Sequence, residues 1–182
     1  FFFSSRRRHT RSCLVSWARR CVLETDIGDR ESNLAQATMA LSINLNISDI
    51  QSSSYYESEP LYNPNQPKFL NSVVSCCTTL KPFEFLDVVK RIETMLGRTD
   101  PREKNQPRTI DIDILLHGDA VLETEELVLP HPMMGLRKFV LLPFEEIASD
   151  FQILQLNLTV KDLLNHSPDT TTVLTHLMKT QA

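Results

Sequence analysis

Apolar residues recur along this chain with two periods, and the switches between them divide it into elements. From Arg30 to Ile43, Leu34, Ala37, Met39 and Leu41 fall at helical spacing, and Asp29 in the Gly28-Asp29 turn is placed to cap the first turn. From Ile47 to Ser58, ISDIQSSSYYES alternates and predicts a half-buried strand. Residues 59–67, EPLYNPNQP, hold three prolines and two asparagines and predict a stiff loop. FLNSVVSCCTTL, 69–80, predicts a strand long enough to cross a sheet. Pro82 suits the first turn of a helix whose apolar face is Phe85, Val88, Val89 and Ile92, and Gly97 stops that helix after Leu96. Cys21–Leu23 predicts the tail of a short first strand, with Arg19 and Arg20 counting against anything longer.

Beyond the polar stretch RTDPREKNQPR, 98–108, the residues alternate strictly from Ile110 to Ile114 and end in a Gly-Asp turn. Val121–Leu129 predicts an edge strand or hairpin, PHPMMGLRKF a loop, and FVLLPFEEIA a short helix. Phe151–Val160 is β-like, with helices expected at Val160–Asn165 and Thr170–Lys179. The order β-α-β-β-α-β predicts an α+β fold: a ferredoxin-like core with C-terminal additions, its helices packed on a mainly antiparallel sheet.

Charge alters the picture at one end. Six of the 19 Lys and Arg residues lie in residues 1–20, which contain no acid, leaving 13 against 23 Asp and Glu in the rest, a formal charge of −10. So acidic a body is ill suited to nucleic acid, and none is expected as a partner. No apolar run approaches the ~18 residues of a membrane span. Residues 1–20 read as a non-native or targeting extension and 21–182 as one domain, with residues 1–17 outside the core. A cytoplasmic location follows, or an organellar one if residues 1–20 are a transit segment. Cys13, Cys21, Cys76 and Cys77 lack metal-ligand spacing. Neighbours in a strand point to opposite faces, so Cys76 and Cys77 are not expected to pair, and free thiols are expected.

Three groups of residues carry chemistry. Residues two apart in a strand share a face, so Asp111 and Asp113 project side by side with Ile110, Ile112 and Ile114 in the core behind them. Such carboxylates repel unless a cation lies between them, and magnesium takes a pair of carboxylates with water and phosphate oxygens. A solvated pair, or partners for Arg108, is the plainer alternative. Arg98 and Arg108 flank the polar loop and suit phosphate, whereas Arg102 reads as solvated. Phe69 and Asn71 share a strand face, which suits a flat heteroaromatic ring or, equally, a core Phe beside a surface Asn.

In order, GDRESNL (28–34), SSSYYESEPLYNPNQPKFLNSVV (52–74), RIETMLGR (91–98), PRTIDIDILLHGD (107–119), LVLPHP (127–132) and RKFVLLPFEEIA (137–148) resemble the 6-hydroxymethyl-7,8-dihydropterin pyrophosphokinase family of folate biosynthesis, over roughly residues 21–165. The resemblance implies transfer of the β,γ-diphosphate of ATP to the pterin hydroxymethyl group, with release of AMP. It implies that Asp111 and Asp113 bind two magnesium ions, and that Phe69 and Phe139 sandwich the ring while Asn71 meets its edge. Groups around Ser58, Pro60 and Leu61 would complete that pocket. Arg98, Arg108, His131 and Arg137 would meet ATP or the transferring group, with Glu93 a further candidate on the nucleotide side. ATP and the dihydropterin are the implied partners of a monomer, and the 59–67 and 98–108 loops the implied lids. The chain departs from the family at Glu24-Thr25-Asp26, where Gly-Ser-Asn is usual, and at RRCVL, where an apolar strand is usual. Milder departures are Glu59 before Pro60 and Gln106 at a frequent Gly position. Two other readings compete: an inactive ferredoxin-like nucleotide- and pterin-binding domain, and a two-carboxylate polymerase-palm or cyclase domain, which the acidic body disfavours.

Overall fold

In the computed structural model, described over residues 18–61, 65–98 and 107–177, the strand β1 (Ala18–Thr25) lies between two longer-range partners and organises the molecule. It is followed by α1 (Arg30–Ser42), β2 (Ile47–Ser52), β3 (Tyr56–Ser58), β4 (Phe69–Thr78), α2 (Pro82–Met95) and β5 (Asp111–His117). Two short hairpins come next, β6–β7 (Leu122–Glu123, Val128–Leu129) and, after α3 (Lys138–Ala148), β8–β9 (Gln152–Ile153, Leu158–Thr159). The helix α4 (Val160–His166) and the strand β10 (Val173–Thr175) complete the described chain. The expectations for residues 1–17, for Tyr62–Pro64 of the first loop, and for residues 99–106 with Arg102 and Gln106 lie outside the described residues.

Across the main sheet the order is β10-β3-β4-β1-β5, with β2 also paired to β4, and every pairing is antiparallel. The predicted α+β arrangement of helices on an antiparallel sheet is therefore present. The strand expected over residues 47–58 is interrupted at Ser53, whose hydroxyl accepts the N–H of Val73 at 3.0 Å.

Alternation along the strands gives the sheet two apolar faces. Cys21, Leu23, Leu70, Val74, Ile112 and Ile114 pack with α1 and α2 through Leu34, Ala37, Phe85 and Val89. Val22, Val73 and Leu115 pack on the other face with Phe139, Val140 and Phe144 of α3 and with Val160 and Leu163 of α4. Asp29 caps α1 by accepting the N–H of Ser32 at 3.1 Å. Pro82 opens α2 where no helical N–H is needed, and Gly97 leaves it at φ +93.

Three expectations change. The first strand begins at Ala18 and is longer than the Cys21–Leu23 tail expected, so Arg19 and Arg20 lie within the sheet. Burial there is possible because Arg20 stacks its guanidinium 4.1 Å from the Phe151 ring, while Arg19 donates to the Leu80 carbonyl at 3.3 Å. The C-terminal helix expected at 170–179 is absent among its described residues: Val173–Thr175 adds to β3 as a strand, which the β-branched run Thr171–Val173 favours. Cys77 is disulfide-bonded, whereas Cys21 and Cys76 are free and buried; the alternation that separates Cys76 from Cys77 leaves the latter on the more accessible face. Among the described residues no helix is long and apolar enough to cross a membrane.

Arg19 is 2% exposed, and its Nε and one terminal nitrogen have no hydrogen-bond partner. Unsatisfied buried donors cost about 1–3 kcal/mol. Arg19→Met is therefore expected to raise the unfolding free energy by about that amount in urea titration; a lower midpoint for the variant would contradict the burial of an uncompensated charge.

Candidate active site

One row of side chains crosses three strands. Glu24 of β1 is in register with Asn71 of β4 on one side and Asp111 of β5 on the other, so all three share the face that α3 covers. Asp113 follows Asp111 on that face, and Ile110, Ile112 and Ile114 are buried behind.

Two cavities open on this row and share Asp111, Asp113, His131 and Pro132 as a common wall. The first, about 220 Å³, is lined by Leu86, Val89 and Val128 on its apolar side and by Lys90, Glu93 and Arg98 on its polar side. Glu125 and Glu126, which the sequence pattern did not single out, also border it. The second, about 300 Å³, lies between Phe69 of β4 and Phe139 of α3 and also meets Ser58, Leu61, Arg108 and Arg137. Pro60 does not line it, whereas its exposed neighbours Glu59 and Leu61 do.

The two aspartates have unlike surroundings. Asp111 is ion-paired with both Arg98 and Arg108, and Arg98 also pairs with Glu93. Burial pushes the Asp111 carboxyl up, but Arg108 and Arg98 outweigh it and hold the group below the usual carboxylate range. Asp113 has no such clamp among the described residues: burial first, and then the Asp111 charge, raise it to about 6. Glu93, expected on the nucleotide side, is 4% exposed and accepts the Ile112 N–H at 2.9 Å, so its carboxylate supports Arg98 from beneath as well as bordering the first cavity.

Glu24 was visible in the sequence only as a departure. Strand register, which no local pattern reveals, puts it in the second cavity. Burial and then Asp111 and Asp113 raise its carboxyl to about 8.

His131 is lowered to about 4 by burial and by Arg137, so it is neutral near pH 7. Its Nδ1 accepts the Met133 N–H at 3.3 Å, which leaves the proton on Nε2. Arg137 carries its guanidinium 5.6 Å from the centre of the Phe139 ring, and its buried Nε has no protein partner. Asn71 is fully buried. Its amide nitrogen donates to the Tyr56 carbonyl at 3.1 Å and to Ser58 Oγ at 2.9 Å, while Oδ1 accepts nothing. The acceptor side of this amide is thus unused among the described residues, and Asn71 itself lines neither cavity.

Two carboxylates, the exposed Glu146 and the buried Asp26, brace the walls. Glu146 of α3 accepts the Ser54 N–H at 3.0 Å, the Ser54 hydroxyl at 2.9 Å and the Tyr56 hydroxyl at 3.0 Å, tying α3 to the β2–β3 segment. Asp26, at the end of β1, accepts the Arg108 N–H at 2.7 Å and the Gln66 amide at 2.6 Å. Among the described residues no group of three or more His, Cys, Asp or Glu surrounds a common point suited to a metal ion.

Residues 21–149 match the model of the 7,8-dihydro-6-hydroxymethylpterin-pyrophosphokinase family. The 2-amino-4-hydroxy-6-hydroxymethyldihydropteridine pyrophosphokinase of Bacillus subtilis is 44% identical over 131 residues, covering 71% of this chain and 77% of that protein. The protein of the same name from Haemophilus influenzae is 38% identical over 128 residues, covering 70% of this chain and 79% of that one. The folic acid synthesis protein FOL1 of Dictyostelium discoideum is 40% identical over 121 residues, 66% of this chain, which spans only 18% of that longer protein. Among solved structures, the wild-type Plasmodium falciparum HPPK-DHPS aligns with a TM-score of 0.62 at 16% identity, over 82% of this chain and 40% of that one, a likeness of fold.

The raised carboxyls imply a pH dependence. Glu24 and Asp113 hold protons in the folded state that the unfolded chain releases, so stability falls as pH rises from about 5 to about 8. Glu24→Gln removes its share, and the melting temperature of that variant is expected to vary less between pH 6 and 8 than that of the parent. Parallel profiles for the two proteins would place Glu24 outside the desolvated row.

Proposed function

Because this chain belongs to the 7,8-dihydro-6-hydroxymethylpterin-pyrophosphokinase family, we propose that its two cavities are the halves of one diphosphate-transfer site joined at Asp111 and Asp113. Membership makes the chain an ATP-dependent pyrophosphoryl transferase of folate biosynthesis. The β,γ-diphosphate of ATP passes to the hydroxymethyl oxygen of 6-hydroxymethyl-7,8-dihydropterin: a bond forms from that oxygen to the β-phosphorus, the bond from the β-phosphorus to the α-phosphate oxygen breaks, and AMP leaves. The single observation that carries this reading is the shared acidic wall, since transfer requires both substrates to meet at one point.

The first cavity suits the nucleotide. Leu86, Val89 and Val128 offer an apolar side to the base, and Lys90 and Arg98 offer charge to phosphate. The second suits the ring, with Phe69 and Phe139 as walls; Asn71, directly behind it on the strand of Phe69, would offer Oδ1 to a ring N–H only if the slot opened toward it. Ser58 and Leu61 border the same slot.

Arg98 and Arg108 close on Asp111. Phosphate oxygens compete for those guanidinium groups, so binding of ATP exchanges one anionic partner for another and releases the carboxylate. Arg137, with a free Nε, and neutral His131, with its Nε2 proton, are the remaining donors for the transferring group. Asp111 and Asp113 fit magnesium, which needs few protein oxygens when phosphate and water supply the rest. Two magnesium ions held there would neutralise phosphate charge and acidify the attacking hydroxyl. An inactive domain is not favoured: Arg98, Arg108, Asp111 and Asp113 are assembled together, and identity to a curated pyrophosphokinase reaches 44%.

Asp113→Ala is expected to lower turnover by at least roughly a hundredfold while leaving the circular dichroism spectrum unchanged. The assay is AMP release from ATP with 6-hydroxymethyl-7,8-dihydropterin and magnesium. Retained activity in the variant, or ADP as the parent's product, would remove the basis of this assignment.

A further inference from the structure

The family match ends at residue 149, yet chain beyond it is built into the site. After α4 the backbone returns along the main sheet, and β10 sets Val173 opposite Ser58 of β3. On the way, Asp169 meets the start of α3. Its Oδ2 accepts the Lys138 N–H at 2.7 Å, and its Oδ1 accepts the Thr171 N–H at 2.8 Å.

Lys138 is the first residue of α3, and its chain neighbours are Arg137 and Phe139. The opening N–H groups of a helix have no partner within the helix. Most helices meet that need with a side chain at the preceding position, but Arg137 stands there and makes no capping hydrogen bond. Asp169 supplies the missing acceptor from 31 residues away, and its negative charge suits the positive end of the helix. Burial pushes this carboxyl up, but the N–H groups of Lys138 and Thr171 outweigh it and hold it below the usual range. The carboxylate is thus ionised near pH 7. One hydrogen bond consequently fixes the peptide from which the Arg137 guanidinium and the Phe139 ring both extend, and those two groups stack on each other in the second cavity.

We propose that Asp169 is a positioning residue of the transfer site, an external cap on α3 that holds Arg137 and Phe139 against the ring slot. This rests on the reading in which Phe139 walls the slot and Arg137 meets the transferring group.

The test compares Asp169→Ala and Asp169→Asn in the full chain. Asp169→Ala is expected to raise the KM for the dihydropterin by roughly tenfold, the worth of one charge-assisted hydrogen bond, while the melting temperature moves by only a few degrees. Binding of 6-hydroxymethylpterin, followed by its fluorescence, should weaken in parallel, and the Lys138 amide should exchange faster with deuterium. Asp169→Asn keeps an acceptor oxygen and should recover most of the affinity. A residue that merely held the fold together would lower kcat through loss of active protein and leave KM unchanged, and that split overturns the proposal. So does an Asn variant as impaired as the Ala variant. A parent chain that releases no AMP overturns the function proposed above and this inference with it, whereas an active parent with an unaffected Asp169→Ala variant overturns this inference alone.

Discussion

Two guanidinium groups closing on one carboxylate set the character of the whole site. Asp111 would be costly in so desolvated a place without Arg98 and Arg108, and Arg98 in turn leans on Glu93 beneath it. These contacts draw the end of α2, the segment before β5 and β5 itself into one cluster. Asp113, two residues along, receives no comparable contact and is left undercompensated. The pair is therefore asymmetric: the protein satisfies Asp111 from its own arginines, while burial and the Asp111 charge hold the Asp113 carboxyl up. A site of this kind has its cationic side chains already assembled when an anionic substrate arrives.

Much of this was legible in the chain. Strict alternation from Ile110 to Ile114 placed both aspartates on one face and the isoleucines behind them, and the structure has them so. The same parity places Phe69 and Asn71 together, and the apolar run 139–148 predicts a helix that in the structure begins one residue earlier, at Lys138. What escaped depends on partners distant in sequence. Glu24 became a site residue through the register of β1 against β5, and register is not written in either strand alone. Val173–Thr175 became a strand because β3 offered an open edge, overriding a helical reading. The polarity of Arg19 and Arg20 counts against a strand, yet an aromatic pair and the Leu80 carbonyl receive them within the sheet. The Oδ1 acceptor of the Asn71 amide shows the same limit: that it is unused is visible only once Tyr56 and Ser58 occupy the nitrogen.

The division of labour between the two sheet faces follows from the same alternation. The face toward α1 and α2 is almost wholly apolar and serves as a foundation. The face toward α3 is apolar only at one end, where Val22, Val73 and Leu115 meet Val140 and Phe144; at the other it gives way to Asn71, Glu24 and the aspartates. α3 thus belongs to a core along half its length and to a cavity wall along its first turn. Glu146 and the Ser54–Tyr56 segment keep that spacing from depending on apolar packing alone.

Asp26 serves two masters with one side chain, the Gln66 amide on one oxygen and the Arg108 backbone on the other. Neither neighbourhood can be reshaped without disturbing the seat of the other. As the sequence drifts, tolerance for change around residue 66 should depend on what stands near residue 108, so substitutions there would accumulate in matched sets and be epistatic when made singly.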